Sequence, residues 1–293
     1  MINGLVVSKN RACQLRLLLE SISVNAPALL NKIKIIYTST NDDFEEGYEK
    51  LKSEKILPNI IWEKEKDFVP DFLNALKTCE SEYICGIVED CVIYKKIPTQ
   101  NIEKLFSDDM FCFSLRLGLN TTTQFYMTDY ITELREYQQS PLCVKWDWTK
   151  WSSKLNYGYP ISLDGHIFRT KEISDLSHMF EFDQLRYWEG IIAGKCRKLT
   201  ERNMMMSFRQ NVLFSIPVNC VQEPPLIAGL LFKQTEEEIN KKYLNNEVID
   251  LNSMEYAFQN VSWTHNEFPF PFKRIGEKTD EVGSHSISSS RSS

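Results

Sequence analysis

The chain has 293 residues, of which 42% are hydrophobic and 25% are charged, a composition typical of soluble globular proteins. Its 34 basic and 40 acidic side chains give a net charge of −6 at pH 7, which argues against a general nucleic-acid-binding surface. No apolar stretch is long enough for a transmembrane helix, so we expect no membrane-spanning segment.

The cysteines and the amino terminus indicate where the protein works. Eight cysteines are scattered along the chain without a Cys-x-x-Cys pair, and several, such as Cys85 and Cys112, lie in apolar segments. We expect free buried thiols, which are typical of a reducing compartment. The first residues have neither a basic region nor a small-residue cleavage site, so we expect no signal peptide. Together these features predict a cytoplasmic protein.

The first hundred residues alternate between apolar strands and helices. Strands are predicted at residues 2–7, 33–37, 59–62 and 83–94, with helices around residues 15–22, 44–53 and 69–78. Such an alternation predicts an α/β fold with a doubly wound, mainly parallel sheet, right-handed crossovers and helices on both faces.

The pattern is less regular after Pro98. Elements are predicted at residues 102–106 (helix), 110–115 (strand), 161–168 (interrupted strand), 180–193 (helix) and 212–216 (strand). Thr235 and the three glutamates after it form a capping box that opens a helix to about Leu244. Residues 276–293 are serine-rich and charged, which predicts a disordered tail.

Two adjacent carboxylates, Glu89 and Asp90, interrupt the apolar segment 83–94. Acids at the end of a buried strand are costly unless a cation or a substrate hydroxyl binds them. Ligands of open α/β sheets bind outside the carboxyl ends of the strands. This position therefore predicts a site, and the alternative is a turn in which both acids face water.

Five short motifs occur in a fixed order along the chain. They are Val6-Val7-Ser8-Lys9-Asn10-Arg11, Ile87-Val88-Glu89-Asp90-Cys91-Val92-Ile93, Ser162-Leu163-Asp164-Gly165-His166, Trp188-Glu189-Gly190 and Trp263-Thr264-His265-Asn266-Glu267. In this order they resemble the nucleotide-sugar glycosyltransferases of the GT-A type (GT2-like), over residues 1 to about 270. The resemblance implies a single domain at 1–275, with a nucleotide-binding half at 1–98 and, at 99–275, an acceptor half with a closing segment.

The resemblance also implies a divalent cation, Mn²⁺ or Mg²⁺, that neutralises the departing phosphate. The family usually holds it with an Asp-x-Asp triplet, which would align here as Glu89-Asp90-Cys91. A thiol is a poor ligand for a hard cation. Three alternatives follow: Asp90 takes over as the ligand, Glu89 binds the ribose, or the protein is metal-independent or inactive. His265 matches a late histidine that closes over nucleotide and metal in some of these enzymes, and a structural histidine is its alternative.

Four polar residues follow the first two predicted strands and are candidates for nucleotide binding. Ser8 and Arg11 lie where the first strand meets its helix, and free backbone N–H groups favour anions there. Asn41 and Asp42 follow the second strand and could meet the base or the ribose. A surface cation at Arg11 and plain helix caps at Asn41 and Asp42 are the alternatives.

Glu189 is the candidate catalytic base. On the helix predicted at 180–193 it shares one stripe with Leu185, Trp188 and Ile192. A carboxylate in an apolar stripe is costly unless it is paired or used, and burial raises its pKa toward that of a general base. The resemblance implies a base near the amino end of a late helix, at about this distance along the chain after Asp90.

Further residues are candidates for the base and for binding the acceptor. Asp183, on the same predicted helix, is the second candidate base, and a salt bridge from Glu189 to Arg186 or Arg197 is the structural alternative. The resemblance places Asp164, Gly165, His166 and Trp188 on the acceptor side, where a tight turn would explain the first three equally well.

We therefore expect an inverting glycosyltransferase that moves a sugar from a nucleoside diphosphate-sugar to a glycan or lipid-linked acceptor. One alternative is a degenerate nucleotide-sugar or glycan binding protein, which Cys91 favours. Another is a sugar nucleotidyltransferase, although the loop from Ser8 to Arg11 lacks the glycines usual for triphosphate binding.

Overall fold

The computed structural model describes residues 1–124, 127–218, 232, 234–258 and 261–276. The α-helices in this part are α1 (Ala12–Asn25), α2 (Asp42–Glu54), α3 (Phe68–Lys77), α4 (Thr170–His178), α5 (Leu185–Lys195) and α6 (Glu236–Leu244). The strands are β1 (Ile2–Lys9), β2 (Ile33–Thr38), β3 (Ile60–Lys64), β4 (Tyr83–Val88), β5 (Cys91–Ile93), β6 (Met110–Ser114), β7 (Thr123–Gln124), β8 (Met127–Ile131), β9 (Tyr137–Gln139), β10 (Cys143–Asp147), β11 (His166–Arg169), β12 (Met204–Phe208), β13 (Leu213–Ser215), β14 (Glu247–Ile249) and β15 (Phe272–Arg274).

A nine-stranded sheet organises the molecule, in the order β3-β2-β1-β4-β11-β6-β12-β10-β9. The strands β1 to β4 pair in parallel, while β11 and β10 run against their neighbours. The predicted α/β fold with a mainly parallel sheet is therefore confirmed.

Helices cover both faces of this sheet because its strands are apolar on both sides. Val6 packs in a core with α1, α2 and α6, whereas its neighbours Leu5 and Val7 pack in a second core with α3, α4 and α5. A strand buried on both faces is a nearly continuous apolar run, which is how β1, β2 and β4 read in sequence.

The central segment 83–94 divides into two strands at its acids. β4 ends at Val88 inside the large sheet, a turn carries Glu89 and Asp90, and β5 leaves to pair with β13. The two carboxylates thus lie at the carboxyl end of β4, where they were predicted.

Several predictions about the second half of the chain were wrong in detail. Of the predicted segment 161–168 only the last three residues belong to a strand, β11 (His166–Arg169), which runs antiparallel to β4. The helix predicted at 180–193 begins at Leu185, because Phe180 and Phe182 pack on the second core before it and Gln184 is extended. Asp183 therefore precedes the helix and is exposed. The helix α4 was not predicted, because its residues are largely polar.

Two predictions concern the remaining features. All seven cysteines in the described residues are free thiols, and Cys85 and Cys112 are buried as predicted. The predicted tail at 276–293 lies outside the described residues except for Gly276. Across the described ranges, every helix falls short of the length and hydropathy that a bilayer span would need.

Candidate active site

Arg11 links the start of α1 to the acidic turn after β4. Its Nη1 lies 3.4 Å from Glu89 Oε1 and 3.7 Å from Asp90 Oδ2. The backbone N–H of Lys9 also donates to Glu89 Oε1, at 3.4 Å. Arg11 and Glu89 are both buried, so neither a surface cation nor a fully solvated acid describes them.

The antiparallel strand β11 brings a third carboxylate, that of Asp164, to this turn. His166 pairs with Gly86 of β4, and the backbone N–H of Gly165 donates to the Gly86 carbonyl at 2.8 Å. Gly165 has a φ of +79°, which lets the chain turn into β11 directly after Asp164. Carboxylate oxygens of Asp90 and Asp164 and the Cys91 thiol consequently lie within 4.8 Å of one another.

Arg116 holds Asp164 in place and was not predicted as a site residue. Its Nη1 lies 2.5 Å from Asp164 Oδ2 and 2.9 Å from Ser162 Oγ, and its Nη2 donates to Thr264 Oγ1 at 3.3 Å. The available signal was its position directly after the apolar strand β6, the same signal that identified Glu89 and Asp90. Arg116 is buried, so this pair is shielded from water.

His265 reaches the cluster through Asp164. Its Nε2 lies 2.8 Å from Asp164 Oδ2, and its Nδ1 lies 2.9 Å from Thr264 Oγ1. Burial and the charge of Arg116 lower the pKa of His265, so its imidazole is neutral at pH 7. His265 therefore borders the three grouped ligand atoms and is not itself among them.

Glu189 approaches the same segment from α5. Its Oε1 accepts a hydrogen bond from the backbone N–H of Leu163 at 2.6 Å, one residue before Asp164. Burial, reinforced by the negative charge of Asp164, raises the pKa of Glu189 to about 8. The two arginines named as alternative partners have other contacts: Arg186 donates to the Tyr187 hydroxyl and Arg197 to the carbonyl groups of residues 148, 149 and 151.

The pKa values of Asp90 and Asp164 are shifted in opposite directions. Burial, with the charges of Glu89 and Asp164, raises the pKa of Asp90 to about 7 although Arg11 opposes the shift. Burial acts against ionisation of Asp164 as well, but Arg116 and the contact with His265 hold its pKa well below the usual range. Burial and both aspartates raise the pKa of Cys91, so its thiol is protonated when no cation is bound.

The predicted nucleotide contacts occupy the ends of β1 and β2. Ser8 Oγ lies 2.7 Å from the Tyr48 hydroxyl, which also accepts from the backbone N–H of Arg11 at 3.2 Å. Asn41 caps α2, where its Oδ1 accepts from the backbone N–H of Phe44 at 3.0 Å, and Asp42 is exposed in the first turn. The structure thus accounts for Asn41 as a cap, and a role toward the nucleotide stays a prediction.

Two predicted acceptor contacts do not fit their positions. Trp188 is fully buried in the second core, where its ring packs on Phe72 and its Nε1 donates to Ser177 Oγ at 2.9 Å. His166 is also buried, with Nδ1 3.1 Å from the Pro160 carbonyl oxygen. An acceptor sugar cannot reach either ring in this conformation.

The charges and ligand atoms of the cluster suit a divalent cation. Glu89, which is buried, and Asp90 and Asp164, whose side chains are 16% and 14% exposed, supply three carboxylates against the two arginines. Excess negative charge with so little access to water is costly. Asp90 Oδ1 is buried and has no hydrogen-bond partner among the described residues. Oxygen ligands of this kind are those that Mn²⁺ and Mg²⁺ prefer.

Comparisons with other proteins give remote structural similarities only. No family model matches the sequence, and no curated protein matches it. The chain is similar to the crystal structure of residues 1–349 of TarS from S. aureus, with 11% identity, a TM-score of 0.45 and coverage of 73% of this chain and 60% of that chain. The chain is also similar to the complex of the same TarS fragment with UDP, with 14% identity, a TM-score of 0.47 and coverage of 74% of this chain and 62% of that chain.

A mannosyltransferase from Pyrobaculum calidifontis, solved with GDP-Man and Mn²⁺, has 10% identity and a TM-score of 0.35 over 59% of this chain and 45% of that chain. The chain thus matches less than two thirds of the length of each of these structures. At these identities and TM-scores the similarity is remote. The chain itself shows an α/β fold in which the parallel strands β1 to β4 of the large sheet are followed by the acidic residues Glu89 and Asp90.

Proposed function

We propose that the protein is a glycosyltransferase that moves a sugar from a nucleoside diphosphate-sugar to a glycan or lipid-linked acceptor, with inversion at the anomeric carbon. The observation that carries the proposal is the convergence of Glu189 with the acidic turn, since Glu189 binds the backbone beside Asp164 and Asp164 meets Asp90. Free buried thiols favour a cytoplasmic site of action.

The donor would bind across the carboxyl ends of β1, β2 and β4. Ser8 lies near the end of β1 and Arg11 is the N-cap residue of α1, where backbone N–H groups and the guanidinium favour a diphosphate. Asn41 and Asp42 would face the base or ribose, and Glu89 the ribose. Bound UDP in the TarS fragment and bound GDP-Man in the mannosyltransferase support a nucleotide-sugar as the donor class.

A divalent cation would be held by Asp90 and Asp164. When bound, it would neutralise charge that develops on the departing phosphate. Arg11 and Arg116 would orient these two carboxylates, because each guanidinium contacts one of them from the side. His265 would support Asp164 by its contact at 2.8 Å rather than by binding the cation directly.

Glu189 would take the proton from the acceptor hydroxyl as that oxygen attacks the anomeric carbon and the bond to the phosphate breaks. The Leu163 N–H fixes one carboxylate oxygen, which leaves the other available to the acceptor. Asp183 is the second candidate, because it lies just before α5 and its side chain is exposed. A catalytically degenerate binding protein is the second candidate function, which Cys91 at the last position of the acidic triplet favours.

The test combines a donor panel with matched carboxylate variants. Thermal unfolding with a series of nucleotide-sugars identifies the donor, because a ligand of the native state raises the unfolding temperature. Turnover of that donor is then measured with Mn²⁺ and with a chelator in Glu189→Gln, Asp183→Asn and, as an exposed control, Glu181→Gln.

We expect Glu189→Gln to lower turnover about 10²–10⁴-fold while donor binding persists. Loss in Asp183→Asn alone would move the base to Asp183. If the unaltered protein binds the donor but shows no turnover with every acceptor tried, only the binding function remains.

A further inference from the structure

Cys91 occupies the last position of the acidic triplet and points into the proposed cation site. It is the first residue of β5 and is fully buried. Its Sγ lies 3.9 Å from Asp164 Oδ1 and 3.4 Å from Ser215 Oγ. The sulfur therefore faces the carboxylate oxygen of Asp164 that Arg116 and His265 do not contact.

A second observation, independent of the thiol, concerns the carboxylate of Asp90. Asp90 Oδ1 is buried without a hydrogen-bond partner in the part of the chain that the structure describes. A buried carboxylate oxygen without a partner is costly, and a cation between Asp90 and Asp164 would satisfy it. The same cation would lie against Cys91, because the ligand atoms of all three residues are within 4.8 Å of one another.

The spacing of sulfur and oxygen is close to that of a metal site. Zinc–sulfur and zinc–oxygen bonds of about 2.3 Å and 2.0 Å place the two ligand atoms about 3.5 Å apart at a tetrahedral angle. The observed 3.9 Å between Cys91 Sγ and Asp164 Oδ1 needs only a small contraction to reach that value.

We propose that Cys91 is a metal ligand and that the site binds a thiophilic divalent cation, such as Zn²⁺ or Co²⁺, in preference to Mg²⁺. On binding, the S–H bond breaks, the proton leaves to solvent and a sulfur–metal bond forms, with no change of oxidation state. A site made only of carboxylates favours hard cations, whereas one thiolate shifts the preference toward softer ones. The inference rests on the cation site of the proposed function and not on glycosyl transfer itself.

Cobalt absorption tests the proposal without any donor or turnover. Co²⁺ bound to a thiolate gives a sulfur-to-metal charge-transfer band in the near ultraviolet, which carboxylate ligands do not give. We expect one equivalent of Co²⁺ to produce this band in the unaltered protein and in Cys143→Ser, a buried thiol of β10 as control. Cys91→Ser should lose the band. Cys91→Asp has oxygen ligands only and should bind Mg²⁺ more readily. Displacing bound Co²⁺ from the unaltered protein should therefore need an Mg²⁺ concentration at least about tenfold higher than in Cys91→Asp.

Further measurements keep the proposal falsifiable if Cys91→Ser does not fold. The cadmium-113 resonance of the unaltered protein reports directly whether one sulfur binds the metal. The proposal is overturned if the protein binds no Co²⁺, if bound Co²⁺ gives no charge-transfer band, if the band persists in folded Cys91→Ser, or if cadmium shows oxygen ligands only. A cobalt–thiolate band in a protein that transfers no sugar would instead reject the proposed function and retain this site.

Discussion

Glu189 accepts a hydrogen bond from the backbone N–H of Leu163 at 2.6 Å, and this contact ties α5 to the segment that carries Asp164. Through Asp164 the same segment touches Arg116, His265 and the cluster at the end of β4. A change at any of these residues should therefore affect the position of the proposed base as well as the local charge.

The proposed base predicts how turnover depends on pH. Burial and Asp164 raise the pKa of Glu189 to about 8, so it is largely protonated at pH 7 and becomes an effective base only as the pH rises. We expect kcat/KM to increase through about pH 8, and Asp183→Asn to keep that profile. A rate that is constant from pH 6.5 to 9 would argue against Glu189, because an exposed carboxylate would already be ionised over that range.

Removing the charge of Asp90 should stabilise the fold while it weakens cation binding. The pKa of Asp90 is about 7 in the folded protein and near 3.9 when unfolded, so its ionisation opposes folding increasingly from about pH 4 and to the full extent above pH 7. We expect Asp90→Asn to raise the free energy of unfolding by about 1–2 kcal/mol at pH 8 without added metal, and by less at pH 5, where the unaltered group is already protonated in the folded state.

Urea denaturation at the two pH values measures this effect. Asp109→Asn is the control, because Lys145 lowers the pKa of Asp109 and its ionised form favours folding. Asp109→Asn should not stabilise. A destabilised Asp90→Asn would show that Arg11 already compensates the Asp90 charge.

The buried pair of Arg116 and Asp164 should matter far more than an exposed pair. We expect Arg116→Met to lower the free energy of unfolding by about 3–5 kcal/mol at pH 7, because it leaves the Asp164 carboxylate without its main partner. Arg202→Met removes a partly exposed partner of Glu172 and should cost about 0–1 kcal/mol.

The stability loss in Arg116→Met should depend on pH. Because Asp164 has a depressed pKa, its contribution to stability is present above its unfolded pKa and is lost as the pH falls. The difference between the unaltered protein and Arg116→Met should therefore shrink below about pH 4. A difference that does not change with pH would assign the loss to packing of the arginine instead.

Gly165 should tolerate no side chain, for two separable reasons. Its φ of +79° strains any residue with a Cβ, and that Cβ would lie 2.7 Å from Leu213 Cδ1. Gly276 has a similar φ of +89° with nothing within 4 Å of the added atom. We expect Gly276→Ala to lower the free energy of unfolding by about 1–2 kcal/mol, because only its backbone is strained. Gly165→Ala should lower it by about 1–3 kcal/mol more, because its Cβ also meets Leu213, and urea denaturation measures both values. Equal losses would show that Leu213 moves aside freely.

The sequence predicted local features well and long-range neighbours poorly. The first four strands and the acids after β4 were predicted correctly, because buried apolar runs and the charges at their ends are visible within a few residues. Arg116 could be seen only as an arginine after a strand, since its partner Asp164 is brought to it by the pairing of β11 with β4 and β6. The helix α4 was missed because its polar composition hides the buried residues Ile173 and Leu176.

The shared sheet has a consequence for dividing the chain. β11 lies directly between β4 and β6, and β5 depends on β13 for its partner. A fragment that stops at residue 98 would leave the β4 edge and the β5 strand without hydrogen-bond partners, and open edges of this kind pair with other copies. Residues 1–98 expressed alone should thus yield self-associating material, and they should fold properly only when they are produced together with the rest of the chain.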